Sequence, residues 1–184
     1  MAQVEIGLGK AGRRAYELDE IGIVPARRTR DPEEVSISWQ IDAYRFDTPL
    51  MVSPMDSVVS PKTAVAIGEL GGLAVLDLEG LWTRYEDPEP LLAEIRELDD
   101  ATATRRLQEI YAEPIKEELI GRRIEEIRQA GVITAARLSP QRTAQYHKAV
   151  IDAGVDIFVI RGTTVSAERV SGRAEPLNLK QLIY

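Results

Sequence analysis

Thr48-Pro49-Leu50-Met51-Val52-Ser53-Pro54-Met55-Asp56-Ser57-Val58-Val59-Ser60-Pro61 is the stretch that decides the fold. Its opening, Leu50 to Val52, is a short apolar run of the kind that makes a strand buried on both faces. Ser53, Pro54, Met55 and Asp56 follow as a polar, kinked segment where such a strand stops. Ser60-Pro61 then reads as an N-cap and a first-turn proline opening a helix. Strand, loop and helix make one βα unit, and α/β proteins place their chemistry on the loops that follow strands.

Downstream, the same unit recurs. A helix is expected over residues 61–70, with Ala64, Val65, Ile67 and Leu70 on one face and Gly71 as its stop. Residues 73–76 form the next buried strand, and Asp77 to Gly80 its outgoing loop. Residues 132–138 are a third strand. Ser139-Pro140 again pairs an N-cap with a first-turn proline, and the helix it opens ends at Gly154 before a fourth strand over 155–160. Apolar strands alternating with helices predict a parallel sheet. Arg161-Gly162-Thr163-Thr164 follows the fourth strand. Glycine beside hydroxyl residues at a strand's C-terminal end offers donors to a phosphate or ribose, and equally suits an ordinary loop. Residues 176–184 read as the first turns of another helix.

Upstream, Gly7-Leu8-Gly9-Lys10-Ala11-Gly12 is a literal G-x-G-x-x-G. A dinucleotide fingerprint needs a strand before it and a crossover helix after it. Residues 13–17 are too short for that helix, so a flexible, glycine-rich lead-in is expected. Arg27, Arg28 and Arg30 form a basic cluster, either a solvated loop or a phosphate contact. Val35, Ile37, Trp39 and Ile41 alternate with polar residues, which predicts a half-buried antiparallel strand in a hairpin. Residues 82–130 differ in character. Asp87-Pro88-Glu89-Pro90 breaks the chain, and helical patterns run over 91–98, 101–111 and 115–130. In the last of these Ile120, Ile124 and Ile127 share a face, with Glu117, Arg122, Glu125, Glu126 and Arg128 as a solvated surface.

Composition sets outer bounds. The 184 residues suffice for one domain with a core; 44% are hydrophobic and 29% charged, as in soluble globular proteins. A net charge of −7 argues against nucleic acid as a partner, because phosphate neutralisation needs a basic surface. With no cysteine in the chain there is no disulfide, thiolate metal site or cysteine nucleophile. No metal site is read within these residues. No apolar run approaches membrane-spanning length and no signal-peptide core opens the chain, so no membrane partner and a cytoplasmic location are expected.

Ser53-Pro54-Met55-Asp56-Ser57-Val58, followed by Gly71-Gly72-Leu73-Ala74-Val75-Leu76 and later Ala153-Gly154-Val155-Asp156, resembles the IMP dehydrogenase/GMP reductase family. The resemblance implies a (β/α)8 TIM barrel, of which this chain covers about the first four βα units. It divides the chain into 1–81, a lead-in with the first two barrel strands; 82–130, a helical insertion; and 131–184, strands three and four with the start of the next helix. Typical IMP dehydrogenases carry a pair of CBS regulatory domains after the second strand. The insertion here is too short for them, which points to a CBS-less subgroup.

By the same resemblance, Ser53 and Met55 contact a purine nucleotide (IMP, GMP or XMP), with Met55 packing on the base; plain core packing is the alternative for Met55. Asp56 anchors the loop. Arg161, Gly162, Thr163 and Thr164 fall where the family binds a nicotinamide cofactor, NAD or NADP. Arg161 stands where the family has an aspartate that meets the nicotinamide ribose, which suggests a phosphorylated dinucleotide or another ligand pose. Hydride transfer between purine C2 and nicotinamide in the family uses a cysteine thiolate on a later loop, near a monovalent-cation site. None of that lies in residues 1–184, so no catalytic residue is assigned here and the chain alone is expected to be inactive. A homotetramer is implied for the complete protein. Eight strands take about 250 residues, so four strands here mean either the N-terminal portion of a longer protein, the preferred reading, or a smaller open α/β sheet. Two rivals remain: a non-catalytic purine-nucleotide-binding relative with a regulatory or assembly role, and an unrelated phosphate-binding barrel.

Overall fold

The computed structural model describes residues 3–25, 27–162 and 177–183. The chain forms two units, Met1–Ser36 and Ile37–Tyr184. In the first, β1 (Gln3–Gly7) pairs antiparallel with β2 (Lys10–Arg13). Gly9 has φ +69°, a conformation that favours glycine, and it lies in the turn between the strands. The G-x-G-x-x-G is therefore the turn and flanks of a β-hairpin, neither a crossover nor the formless lead-in expected. No described residue of this unit is buried.

In the second unit, β3 (Trp39–Ile41) and β4 (Tyr44–Phe46) make an antiparallel hairpin closed at Asp42, φ +48°. The expected strand over 35–41 is thus confined to its last three residues. Val35 and Ile37 are exposed, since among the described residues no strand pairs with residues 35–38 and alternation without a partner strand does not hold a strand. Within the hairpin Trp39 stacks on Phe46 at 4.7 Å between ring centroids, and its indole N–H donates to the Thr48 carbonyl at 2.7 Å.

Four parallel strands follow in sheet order: β5 (Met51–Val52), β6 (Leu73–Asp77), β7 (Ala135–Leu138) and β8 (Ile157–Ile160). Their side chains alternate between two cores. On one face Leu73, Val75 and Ala135 pack with Phe46, flanked by Trp39, Ile41, Ile157 and Val159. The β3–β4 hairpin thus covers this face near the strands' N-terminal ends. On the other face Ala74, Leu76, Ala136 and Leu138 meet the helices.

Those helices are α1 (Pro61–Glu69), α2 (Glu89–Arg96), α3 (Asp100–Ile110), α4 (Glu117–Gln129), α5 (Pro140–Asp152) and α6 (Leu179–Ile183). The Ser-Pro openings behave as expected. Ser60 caps α1, accepting from the Thr63 N–H at 3.0 Å while Thr63 Oγ1 accepts from the Ser60 N–H; Ser139 caps α5 through the Arg142 N–H. Gly71 and Gly154, at φ +77° and +75°, follow the two helices as left-handed stops. Helix α4 lies beside both α1 and α5 and gives Leu119, Ile120, Ile124 and Ile127 to the core. It covers the step from β6 to β7, so the segment expected as an insertion ends in a helix of the main layer. Among the described residues no helix is long and apolar enough to cross a membrane.

Candidate functional site

The loop after β5 is built outward from a register. Met51 pairs with Leu73, so its side chain lies on the face shared with Leu73 and Val75, and period-two alternation carries Ser53 to that face at the strand's C-terminal end. Ser53 is exposed, and Met55 is 49% exposed. The Met55 carbonyl accepts from the Val58 and Val59 N–H groups at 2.9 and 2.8 Å, turning the chain back. Val59 is then buried against the helix layer and Ser60 opens α1. The loop is short because its second half is bonded back to Met55.

Asp56 ties this loop to the rest of the protein. One carboxylate oxygen, Oδ2, accepts from the Leu81 N–H at 2.9 Å and from the Tyr111 hydroxyl. The other, Oδ1, is buried with no hydrogen-bond partner among the described residues. It lies over Gly80, where an added Cβ would come within 1.8 Å of it. Burial lifts the Asp56 carboxyl above the ordinary carboxylate range, while the Tyr111 and Leu81 hydrogen bonds pull the other way. Tyr111 is itself pushed up, by burial and then by the Asp56 carboxylate, so its hydroxyl stays protonated and donates. The anchoring expected of Asp56 is what the structure shows.

Tyr111 is the C-cap of α3, and its place is fixed by Arg84. The Arg84 guanidinium sits 5.6 Å from the Tyr111 ring centroid, donates to the Glu79 carbonyl at 2.9 and 3.1 Å, and reaches the Glu113 carbonyl. Tyr85 donates from its hydroxyl to the Ile110 carbonyl at 2.9 Å. Thr83, fully buried, donates to the Leu78 carbonyl at 2.8 Å. The chain from Leu78 to Glu86 is thus a bonded core segment on which the end of α3 rests.

A second set of polar groups continues the Leu73–Val75 face to its C-terminal end. Asp77 of β6 stands beside Arg137 of β7, their contact being 3.1 Å, and Glu79 lies 3.8 Å from the same guanidinium nitrogen. Arg137 also donates to the Arg161 carbonyl at 3.2 Å, and its Nε is buried without a partner among the described residues. Arg161 is exposed, and Gly162 follows it. Thr163 and Thr164 lie outside the described residues. Ser53 and Met55 therefore share one loop, while Arg161 and Gly162 stand at the same end of the sheet but on its other edge.

A cleft of about 540 Å³ lies beside the β5 loop, lined by Asp56, Ser57, Val58, Trp82, Leu92 and Arg96 among others. None of the four described site residues from the sequence lines it. Sequence reasoning also passed over Tyr111, Arg84 and the Asp77–Arg137 pair. Only the last left a signal: a charge at the end of each of two apolar strands.

The model of the IMP dehydrogenase/GMP reductase domain matches residues 15–175. The chain belongs to the IMP dehydrogenase/GMP reductase family. Its relatives include uncharacterized oxidoreductases of Mycobacterium bovis and Mycobacterium leprae, 49% and 47% identical over 98% of this chain. The chain spans about half the length of these relatives, 49% of each. An inosine-5'-monophosphate dehydrogenase of Methanocaldococcus jannaschii is 28% identical over 35% of the chain. A crystal structure of an IMP dehydrogenase/GMP reductase-like protein from Corynebacterium glutamicum superposes with a TM-score of 0.82 at 44% identity, over 98% of this chain and 48% of that one. Membership of this family makes the chain part of an oxidoreductase lineage whose α/β fold it shares.

Proposed function

We propose that the chain is the nucleotide-holding part of a purine-nucleotide oxidoreductase of the IMP dehydrogenase or GMP reductase type. The run β5 to β8 is read as the first four strands of a (β/α)8 barrel closed by the rest of a longer, tetrameric protein, with residues 82–116 as the extra segment between the second strand and its helix. The carrying observation is the β5 loop: Ser53 and Met55 are exposed at a parallel strand's C-terminal end, on a backbone pinned by Asp56. Ser53 offers a hydroxyl to nucleotide oxygens, and Met55 offers a polarisable apolar surface to a purine face. A nicotinamide cofactor, NAD or NADP, supplies the hydride chemistry when bound, with the cysteine nucleophile outside this chain. Arg161 carries donors only, so it suits dinucleotide phosphate oxygens and cannot accept from ribose hydroxyls as a carboxylate does.

Arg161 also favours a second reading, a relative that binds purine nucleotide without turning it over. Calorimetric titration of the complete protein with IMP and GMP tests the first step. Met55→Ala should weaken binding by roughly 1–3 kcal/mol through lost packing. Unchanged affinity would remove Met55 from the site, and no binding by the wild type would end both readings. Binding without turnover of NAD or NADP selects the second.

A further inference from the structure

Resting on that functional reading, we propose that Tyr111 is a positioning residue for the nucleotide: from the end of α3 its hydroxyl fixes the Asp56 carboxylate and thereby the loop that presents Ser53 and Met55. The Asp56 side chain has two hydrogen bonds, both on Oδ2, from Leu81 and Tyr111. Its other oxygen is closed in over Gly80 and takes none among the described residues. A half-desolvated carboxylate with two donors depends heavily on each. The Leu81 bond comes from the neighbouring βα loop and is part of the main fold. The Tyr111 bond comes from the extra segment, and it is the described hydrogen bond between that segment and the β5 loop.

Tyr111 is prepared for this task. The Arg84 guanidinium lies over its ring and is tethered to the carbonyls of Glu79 and Glu113 on either side of the segment. Ile110, the preceding residue, is 1% exposed and its carbonyl is held by Tyr85. The hydroxyl therefore arrives on a fixed support. Of the charged and titratable groups around Asp56, Tyr111 and Arg84 favour its ionised form and Asp77 opposes it, while Asp87, Glu89 and Arg96 face it across the cleft. Loss of the hydroxyl removes a donor from the carboxylate, so Asp56 holds its proton to higher pH and its side chain keeps only the Leu81 bond among those described.

The test uses the complete protein with Tyr111→Phe, which keeps the ring over Arg84. Amide hydrogen exchange at Val58 and Val59 should quicken about tenfold in the variant without nucleotide, because their bonds to the Met55 carbonyl are held by the same loop geometry. The affinity for IMP or GMP should fall about tenfold, and the pH midpoint of that affinity should move upward. A general loss of stability would lower the unfolding midpoint and leave the pH midpoint in place. In an Asp56→Ala background, which removes the accepting oxygens, Tyr111→Phe should add little, since both changes act through one contact. Equal exchange rates in wild type and variant would overturn the proposal whatever the nucleotide does. Unchanged affinity in a wild type that binds would overturn it as well. If the wild type binds no nucleotide, the functional reading fails, and the exchange rates alone still decide whether Tyr111 holds the loop.

Discussion

Asp56 combines a raised carboxyl pKa with hydrogen bonds that favour its charge, and burial wins. The native state therefore keeps the Asp56 proton at pH values where the unfolded chain has released it. Its contribution to stability is complete below the unfolded value, about 3.9, and is lost as pH rises through the raised native one. Asn at this position cannot titrate. Wild-type stability relative to Asp56→Asn should thus decline with increasing pH across this window, as read from urea unfolding at a series of pH values. A relative stability that rises with pH would mean that the hydrogen bonds outweigh burial. Little of this environment was legible in the sequence. The Pro-Met-Asp segment marked the loop, and the residues before and after it marked a strand and a capped helix, because those signals are local. Tyr111 is 55 residues from Asp56, and nothing in its own neighbourhood distinguishes it from any helix-end tyrosine.

At the level of elements, helix α4 repays closer reading. Its buried stripe is Leu119, Ile120, Arg123, Ile124 and Ile127, a three- and four-residue spacing that includes an arginine. Arg123 is 7% exposed, and its guanidinium donates to the carbonyls of Trp82 at 2.9 Å, Tyr85 and Glu86, and to Glu126 at 2.7 Å. It fastens the Leu78–Glu86 segment to the helix layer, with Trp82 as a cation–π neighbour at 5.8 Å. Replacing it by methionine roughly keeps the volume and strands the carbonyls of Trp82, Tyr85 and Glu86, while the exposed Glu126 carboxylate turns to solvent. Arg123→Met should cost about 3 kcal/mol in denaturant unfolding, whereas Arg122→Met, at an exposed site, should change little. The periodicity that revealed the helix also placed Arg123 on its apolar face, so this residue was readable. It was concealed by charged neighbours that do form a solvated surface. The strand expected over 35–41 failed for the opposite reason: alternation was present, but a strand exists only where another strand meets it.

Across the whole molecule, the two ends of the parallel sheet have different work. At the N-terminal end the β3–β4 hairpin covers apolar side chains with Trp39 and Phe46, and Asp156 ties Thr134 and Tyr44 together through its carboxylate. At the C-terminal end lie exposed Ser53 and Met55 and the Asp77–Arg137–Arg161 set. Trp39→Ala should lower stability by about 2 kcal/mol while leaving the nucleotide affinity of the folded protein unchanged. Met55→Ala should do the reverse, and thermal unfolding paired with calorimetric titration separates the two. The parallel sheet and its direction followed from the apolar strands and capped helices. The ties across its ends did not, since each joins residues far apart in the chain. The span from Asp56 to Tyr111 also has a temporal meaning. On a chain emerging from the ribosome, β5 and its loop are out long before α3. Asp56 thus waits for a later helix, and its carboxylate gains the Tyr111 hydroxyl only when that helix has folded back on the loop.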